Sequence, residues 1–489
     1  MTGDRLSGGG LSGGAPSDRL HSRYAPEAEA DRYVEALNLA HDIDFFILVE
    51  PGRGYLVDSL RRLRPAGRAV VLHADAAFRG FDAARPGVPA WHPGGGKTVQ
   101  EFLEGEIPQG ATARIVEWRP SVSAYGEACL RLVRESAEFL RRAEAGRRTA
   151  AAFGRRWVRN FFRNLAILRT VLLCGPVDMP IVVTGAGPSL EGAARDIRRA
   201  RGGVFVLAAS SSVAALAAGG VEPDMVVSSD GGGWALFHLH ACFRSSQGRA
   251  KGAGLASALV AALPSRCSEL PILPLCDGSL WQSLALGAAG VPFAVVPERG
   301  TVTATALELA LSLGRGCVFM AGMDLSVQGL RSHARPYGFD HLFFGTASRL
   351  RPAYSQVSAR SRDIGAGGSY GVYADWFKSR LASLRGRVFA LGGGHGVFES
   401  GPSLAPFAKA AARRGGFREV PAGDPGQSPG RRCELAARAL AAALEGPRSA
   451  ALAGELAPLL FPSRRDVSAG EISADLRGLA GRYARVDYG

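Results

Sequence analysis

Several stretches of this chain place small, polar and titratable residues where they could do chemistry. Gly185-Ala186-Gly187-Pro188-Ser189 lies between the apolar run Ile181-Val182-Val183 and a segment with Leu190, Ala193, Ala194 and Ile197 at helical spacing. Gly185 and Gly187 let a backbone approach a ligand closely. Pro188 has no N–H and a preset φ, which suits a first helical turn. Ser189 can cap that turn or donate to a phosphate, and the free N–H groups of a helix N-terminus attract an anion. A tight strand-to-helix turn without a ligand fits the same residues equally well, because short glycine motifs are weak evidence.

Three more polar ends follow apolar runs. Met225-Val226-Val227 delivers Ser228-Ser229-Asp230, and Ala294-Val295-Val296 leads through Glu298 and Arg299 to Gly300-Thr301-Val302-Thr303. Cys317-Val318-Phe319-Met320-Ala321 delivers Gly322-Met323-Asp324. In an open parallel sheet, ligands sit outside the carboxyl ends of the strands. Polar loops at 185–189, at 300–303 and at Asp324 together point to a site more strongly than any one of them. The irregular stretch after Asp324 holds Arg331, His333, Arg335, Tyr337, Asp340 and His341. Such a loop is often a functional lid. His333 has a reference pKa near neutrality and can act as a general base, and the arginines can neutralise a phosphate or carboxylate. A solvated loop accounts for the same residues.

The elements that must position these loops read as α/β. The chain has 489 residues, enough for two to four domains. Residues 1–25 are rich in glycine and serine and read as disordered. Residues 26–120 read as a Rossmann-like domain: a strand Phe45-Phe46-Ile47-Leu48-Val49, a turn Pro51-Gly52-Arg53-Gly54, a helix over 55–63, and a strand ending at His73. That turn can hold a ligand or can be a plain turn. Residues 121–178 read as a helical connector. Its Asn160 and Asn164 share a helix face, suited to a ligand or, more commonly, to capping or the surface. Residues 179–405 form the central parallel-sheet α/β domain, in which 271–275 reads as a short, edge-like run. Residues 406–489 comprise a linker, GFREVPAGDPGQSPGRR, and a helical C-terminal domain with periodicity over 433–444, 449–461 and 471–483.

Composition narrows the function classes. The net charge is +14, carried mostly by arginine. This suits an anionic ligand, an acidic partner or a membrane surface, and a GC-rich genome produces the same bias. No nucleic-acid-binding signature accompanies the charge. The seven cysteines are widely spaced, with no CxxC, and read as reduced thiols in a cytoplasmic protein. The first 20 residues lack the apolar core of a signal peptide, and no apolar stretch reaches the ~20 residues of a membrane span.

The set GAGPSLE, VEPDMVVSSD and GTVTATALELALSLGRGCVFMAGMDLS, with a following SHA, resembles the motility-associated factor (Maf) family. These are flagellin glycosyltransferases, grouped with the MptE-like hydroxymethylpterin diphosphokinase domain. The central part is also similar to bacterial sialyltransferases that use CMP-activated sugars. VEPGRGYLVDSLRRL with VVLHADAAF resembles the family's first Rossmann-like domain, and VFALGGGHGVFESGPSLAP its segment closing the central domain. The chain departs from the family at Ala209-Ser210-Ser211, where an acidic residue is often found, at Gly231, where Pro is usual, and at Met323, where Gln is common.

The resemblance implies a sialyltransferase-like central domain that transfers a nonulosonic sugar from a CMP donor to Ser or Thr of flagellin, the protein partner. Gly185, Gly187, Pro188 and Ser189 would then contact the nucleotide or its phosphate, with Asp230 adjacent. Gly300, Thr301 and Thr303 would line the donor site. Asp324 and His333 would lie near the reacting centre, with His333 as base. No cofactor is implied beyond the CMP-sugar substrate, nor any metal; no nucleic acid partner and no transmembrane segment are expected, and an oligomer is possible. Two other classes stay open: an MptE-like pyrophosphokinase using ATP and magnesium on a pterin, with Asp230 and Asp324 as its carboxylates, and a catalytically degenerate flagellin-binding protein.

Overall fold

The computed structural model describes residues 20–484, apart from 41–42, 79, 81–83, 109–110, 245–253, 298–299, 329–330, 366–368, 393–397, 410–415, 425 and 465. Residues 1–19 of the stretch read as disordered, Glu298 and Arg299, and 393–397 of the closing segment lie outside the described residues. The chain divides into two compact units between Ala152 and Phe153.

The first unit is built on a parallel sheet of β1 (Phe45–Val49), β2 (Arg68–Leu72), β3 (Ala90–Trp91) and β4 (Ala113–Glu117), in the order β3-β2-β1-β4. Strand β1 is apolar throughout because both of its faces are covered. Phe45, Ile47 and Val49 meet Phe102 and Leu103 of the helix Val99–Glu106, and Leu132 and Phe139 of the long helix Glu127–Ile167. Phe46 and Leu48 meet Leu56, Val57 and Leu60 of the helix Tyr55–Leu63. Gly52, at φ +60°, sits beneath His21, whose Nε2 accepts the Arg53 N–H at 3.0 Å. The chain's own imidazole therefore covers this turn.

The second unit holds β5 (Thr170–Cys174), β6 (Ile181–Thr184), β7 (Phe205–Ala209), β8 (Met225–Ser228), β9 (Gly254–Ala258), β10 (Ile272–Cys276), β11 (Ala294–Val295), β12 (Val318–Ala321), β13 (Val388–Ala390) and β14 (Phe417–Pro421). The order is β13-β12-β6-β7-β8-β9-β10-β5-β14, with β11 beside β10. The pairings are parallel except β14 with β5. Strands β6, β7 and β8 are buried along their whole length, as parallel strands covered by helices on both faces must be.

Four expectations are corrected here. Within 1–25, read as disordered, Leu20 is buried and its carbonyl accepts the Trp118 indole N–H at 2.8 Å. The stretch 121–178, read as a helical connector, also contains strand β5. The run at 271–275 is not at an edge: β10 is buried and lies between β9 and β5. On the side away from β9, it pairs with β5 at Ile272 and with β11 at Leu275 and Cys276. Pro274 falls in the gap between those pairings, where a missing N–H is tolerated. The linker-like stretch contains β14, antiparallel to β5, with Arg418 and Glu419 exposed. Charges on an edge strand are how sheets avoid further pairing, and here they disguised the strand as a linker.

The helices Pro429–Leu444, Ser449–Leu460 and Ala469–Ala484 bury Cys433, Leu440, Leu456 and Leu476 in the same core as the sheet. Buried Arg432 donates to the carbonyls of Leu165, Leu168 and Ala422. It places a cation at the carboxyl end of Glu127–Ile167, where the helix dipole favours one. All six described cysteines are free thiols. Burial pushes Cys129 and Cys433 up to about 12 and Cys174 up to about 11. Among the described residues, no helix is long and apolar enough to cross a membrane.

Candidate functional site

The sheet changes direction at β6. From β6 the chain builds outward through β7, β8 and β9, then returns to lay β12 on the other side of β6. The carboxyl ends of β6 and β12 therefore flank a topological switch point, where open α/β sheets bind ligands. The glycine turn and Asp324 stand at those two ends.

The two loops are in direct contact. The Gly185 N–H donates to the Ala321 carbonyl at 2.8 Å, and the Gly187 N–H to the Gly322 carbonyl at 2.8 Å. A Cβ at Gly185 would lie 2.6 Å from the Gly322 oxygen, and one at Gly187 would overlap the Asp324 carboxylate. Both glycines are thus required by the close approach of the β12 loop, whatever ligand binds.

Asp324 is 3% exposed. Its Oδ2 accepts the Ser189 N–H at 2.9 Å and the Ser189 hydroxyl at 3.0 Å, and its Oδ1 accepts the Gln328 amide at 3.1 Å. Ser189 opens the helix Leu190–Ala200. An anion does sit at this helix N-terminus, and it is the chain's own carboxylate. Pro188 is buried beside it. Thr301 caps the helix Val302–Leu313 by accepting the Ala304 N–H at 3.0 Å. The Thr303 hydroxyl faces Gly185, 3.3 Å from where a Cβ would stand, and Gly300 is an exposed turn residue at φ +75°.

The His333 loop is fastened to the same turn. The Ala334 N–H donates to the Ala186 carbonyl at 2.8 Å. Glu191, in the first turn of the helix, accepts the Arg335 N–H at 2.9 Å and the Arg331 guanidinium at 3.1 and 3.2 Å. His333 stacks on Tyr337 with centroids 4.0 Å apart, and its Nδ1 lies 2.8 Å from the Ser332 hydroxyl. Arg331, Ser332, His333, Arg335, Tyr337 and Asp340 line an open cleft.

The structure thus gathers Gly185, Gly187, Pro188, Ser189, Thr303 and Asp324, and pins the His333 loop to them. Asp230 stands apart. It is exposed at the end of β8 and closes a turn by accepting the Gly232 N–H at 2.7 Å. Among the described residues, no hydrogen bond joins Asp230 or Gly300 to the Ser189–Asp324 centre. Asn160 and Asn164 turn out to be buried bolts. Asn160 donates to the Gly231 and Val260 carbonyls, and Asn164 to those of Leu259 and Ala261. Glu191, Gln328 and Ser332 received no role from the sequence. Glu191 was visible in GAGPSLE, but its partners lie 140 and 144 residues away.

Residues 156–329 match the family model described as 6-hydroxymethylpterin diphosphokinase MptE-like. The chain carries an MptE-like domain. It takes in the glycine turn, Asp230, Thr301, Thr303, Asp324 and Gln328, and ends just before the His333 loop. An uncharacterized protein of Treponema pallidum (strain Nichols) is 27% identical over 289 residues, covering 58% of this chain and 61% of that protein. The chain therefore matches less than two thirds of that relative's length. Among solved structures, the structure of MAf glycosyltransferase from Magnetospirillum magneticum AMB-1 is similar with a TM-score of 0.44 at 15% identity, covering 96% of this chain and 80% of that one.

Proposed function

We propose that this chain is a glycosyltransferase that moves a nonulosonic, sialic-acid-like sugar from a CMP donor to a Ser or Thr hydroxyl of flagellin, in support of motility. The observation that carries the reading is the attachment of the His333 loop to the glycine turn at the switch point. It sets a titratable imidazole and two guanidinium groups beside the crevice of an MptE-like domain.

In this reaction the bond from the sugar's anomeric carbon to the CMP phosphate oxygen breaks. A bond forms from the acceptor oxygen to that carbon, the acceptor proton goes to a base, and CMP leaves with its negative charge. His333 is the base. Arg335, whose guanidinium pairs with none of the described residues, meets the charge of the phosphate or of the sugar carboxylate. The backbone of Gly185, Gly187, Pro188 and Ser189 forms the floor of the nucleotide site, held by Asp324, with Thr301 and Thr303 on the donor side.

A second reading follows from the description of the matched family: pyrophosphoryl transfer from ATP and magnesium to a pterin. Thermal stability of the purified protein separates the two, because a ligand that binds only the folded state raises the midpoint. CMP is expected to raise it, and Arg335→Ala to abolish the shift. In a transfer assay from CMP-sugar to flagellin, His333→Ala is expected to lower the rate by about 10²–10⁴-fold. A shift with ATP and magnesium alone favours the pyrophosphokinase. No shift with either ligand rejects both enzymes and leaves a flagellin-binding protein.

A further inference from the structure

Four large hydrophobic side chains are left in water around the His333 cleft: Trp234 at 62% exposure, Phe344 at 59%, Leu350 at 97% and Tyr354 at 67%. Only Phe153 and Val295 are comparably exposed elsewhere among the described residues of this unit. Trp234 reaches the cleft through ring contacts, to Phe339 at 5.7 Å, from Phe339 to Tyr337 at 5.3 Å, and from Tyr337 to His333 at 4.0 Å. Phe344 belongs to the helix Asp340–Gly345, whose Asp340 and Phe343 line the cleft. Leu350 is at the tip of a turn closed by Ser348 and Arg351. Tyr354 opens the helix Ala353–Gly365, whose Val357 also lines the cleft. One short stretch, 340–357, therefore faces the cleft on its inside and carries bulky apolar groups on its outside. A cluster of this kind marks an interaction site, since exposed apolar groups grouped at one rim gain by being covered.

The charge of the rim identifies the occupant. Arg349 and Arg351 flank Leu350, are exposed, and form ion pairs with none of the described residues. The only acidic residue in 340–357 is Asp340, and its carboxylate accepts the Tyr337 N–H at 2.8 Å. A second copy of a chain with net charge +14 would bring like charge to this surface. A segment with apolar side chains flanked by carboxylates is complementary to it: aromatic and leucine side chains anchor, and the guanidinium groups pair with carboxylates.

We propose that the rim formed by Trp234, Phe344, Leu350 and Tyr354, with Arg349 and Arg351, docks the acceptor as an acidic, apolar polypeptide segment. This rests on the glycosyltransferase reading, in which a protein hydroxyl must pass the rim to reach His333. The test uses the full chain and a fluorescein-labelled peptide of Asp, Leu, Phe and Ser, beside the same peptide with Lys for Asp, read by fluorescence anisotropy. The acidic peptide is expected to bind and the basic one not. Leu350→Ser with Tyr354→Ser, and Arg349→Glu with Arg351→Glu, are each expected to weaken binding about tenfold or more, with the thermal midpoint and the CMP shift unchanged. The proposal is overturned if the variants bind like the parent, or if the basic peptide binds equally. It is also overturned if the variants instead lose sedimentation with phosphatidylglycerol vesicles, or lose self-association. Variant-sensitive peptide binding without a CMP shift leaves the docking surface standing and removes the transferase reading. A CMP shift with variant-insensitive peptide binding does the reverse.

Discussion

The Asp324 carboxylate receives both the backbone N–H and the hydroxyl of Ser189, at 2.9 and 3.0 Å, across 135 residues of sequence. This part-buried contact ties the carboxyl end of β12 to that of β6. Hydrogen bonds to a charged group are worth about 1.5–3 kcal/mol, and a buried donor left without an acceptor costs more than the bond itself returns. Asp324→Ala is therefore expected to destabilise the chain by about 2–3 kcal/mol, and Asp324→Asn, which keeps an acceptor, by about half as much. Urea midpoints with an unchanged slope are the measurement. The Asn variant also removes negative charge from the helix N-terminus. If a phosphate binds in that turn, its CMP shift should exceed the parent's.

Gly187 and Gly192 are five residues apart and should respond oppositely to alanine. A methyl group at Gly187 overlaps the Asp324 carboxylate and lies 2.8 Å from the Gly322 carbonyl, whereas one at Gly192 meets nothing within 4 Å. Gly192 is an exposed residue inside the helix Leu190–Ala200, so Gly192→Ala should stabilise by about 0.5–1 kcal/mol. Gly187→Ala should destabilise by about 1–3 kcal/mol, as overpacking does. Equal effects would mean that the β12 loop is not held against the turn.

The same contrast explains how far the sequence could be read. Strands β6, β7, β8 and β12 announced themselves as continuous apolar runs, because a parallel strand buried on both faces must be apolar throughout. Pro188 and Ser189 marked the helix start by local chemistry that needs no distant partner. What stayed hidden was long-range. Nothing local to Ser189 says that its acceptor is Asp324, and nothing local to Asn160 says that it holds the carbonyls of Gly231 and Val260. Strand β14 was hidden for a different reason. Its exposed Arg418 and Glu419 protect a sheet edge, and in sequence such charges look like a linker.

Glu191 governs the His333 loop more than it governs stability. Its pair with Arg331 is at the surface, with side chains 38% and 45% exposed, and such pairs contribute about 0–1 kcal/mol. It also accepts the Arg335 N–H at 2.9 Å, and so fixes the loop at two points. Glu191→Ala is expected to shift the unfolding midpoint little. It should speed tryptic cleavage after Arg331 several-fold, and lower any transfer activity through kcat more than through KM. Cleavage at the parent's rate would show that the Ala334–Ala186 bond alone suffices.

The helix Ala469–Ala484 offers a test by pH. Glu471 accepts from the Arg464 guanidinium at 2.7 Å and from the Ser468 N–H at 3.0 Å, while its own N–H donates to the Ser468 hydroxyl at 3.2 Å. The bond from Arg464, and then those from Ser468, hold the carboxyl down at about 2, from an ordinary value of 4.5. The folded state therefore binds this proton more weakly than the unfolded chain does. The stabilisation is complete above about pH 4.5 and is lost as pH falls through about 2. Urea midpoints of the parent and Glu471→Gln should differ at pH 7, with the parent more stable, and the two curves should converge on acidification as pH approaches 2. Because every other carboxylate titrates in both proteins, the difference isolates this cap. A gap that persists undiminished to the acid limit would mean that Gln fails to fit the cap for steric reasons, and that charge is not what Glu471 contributes.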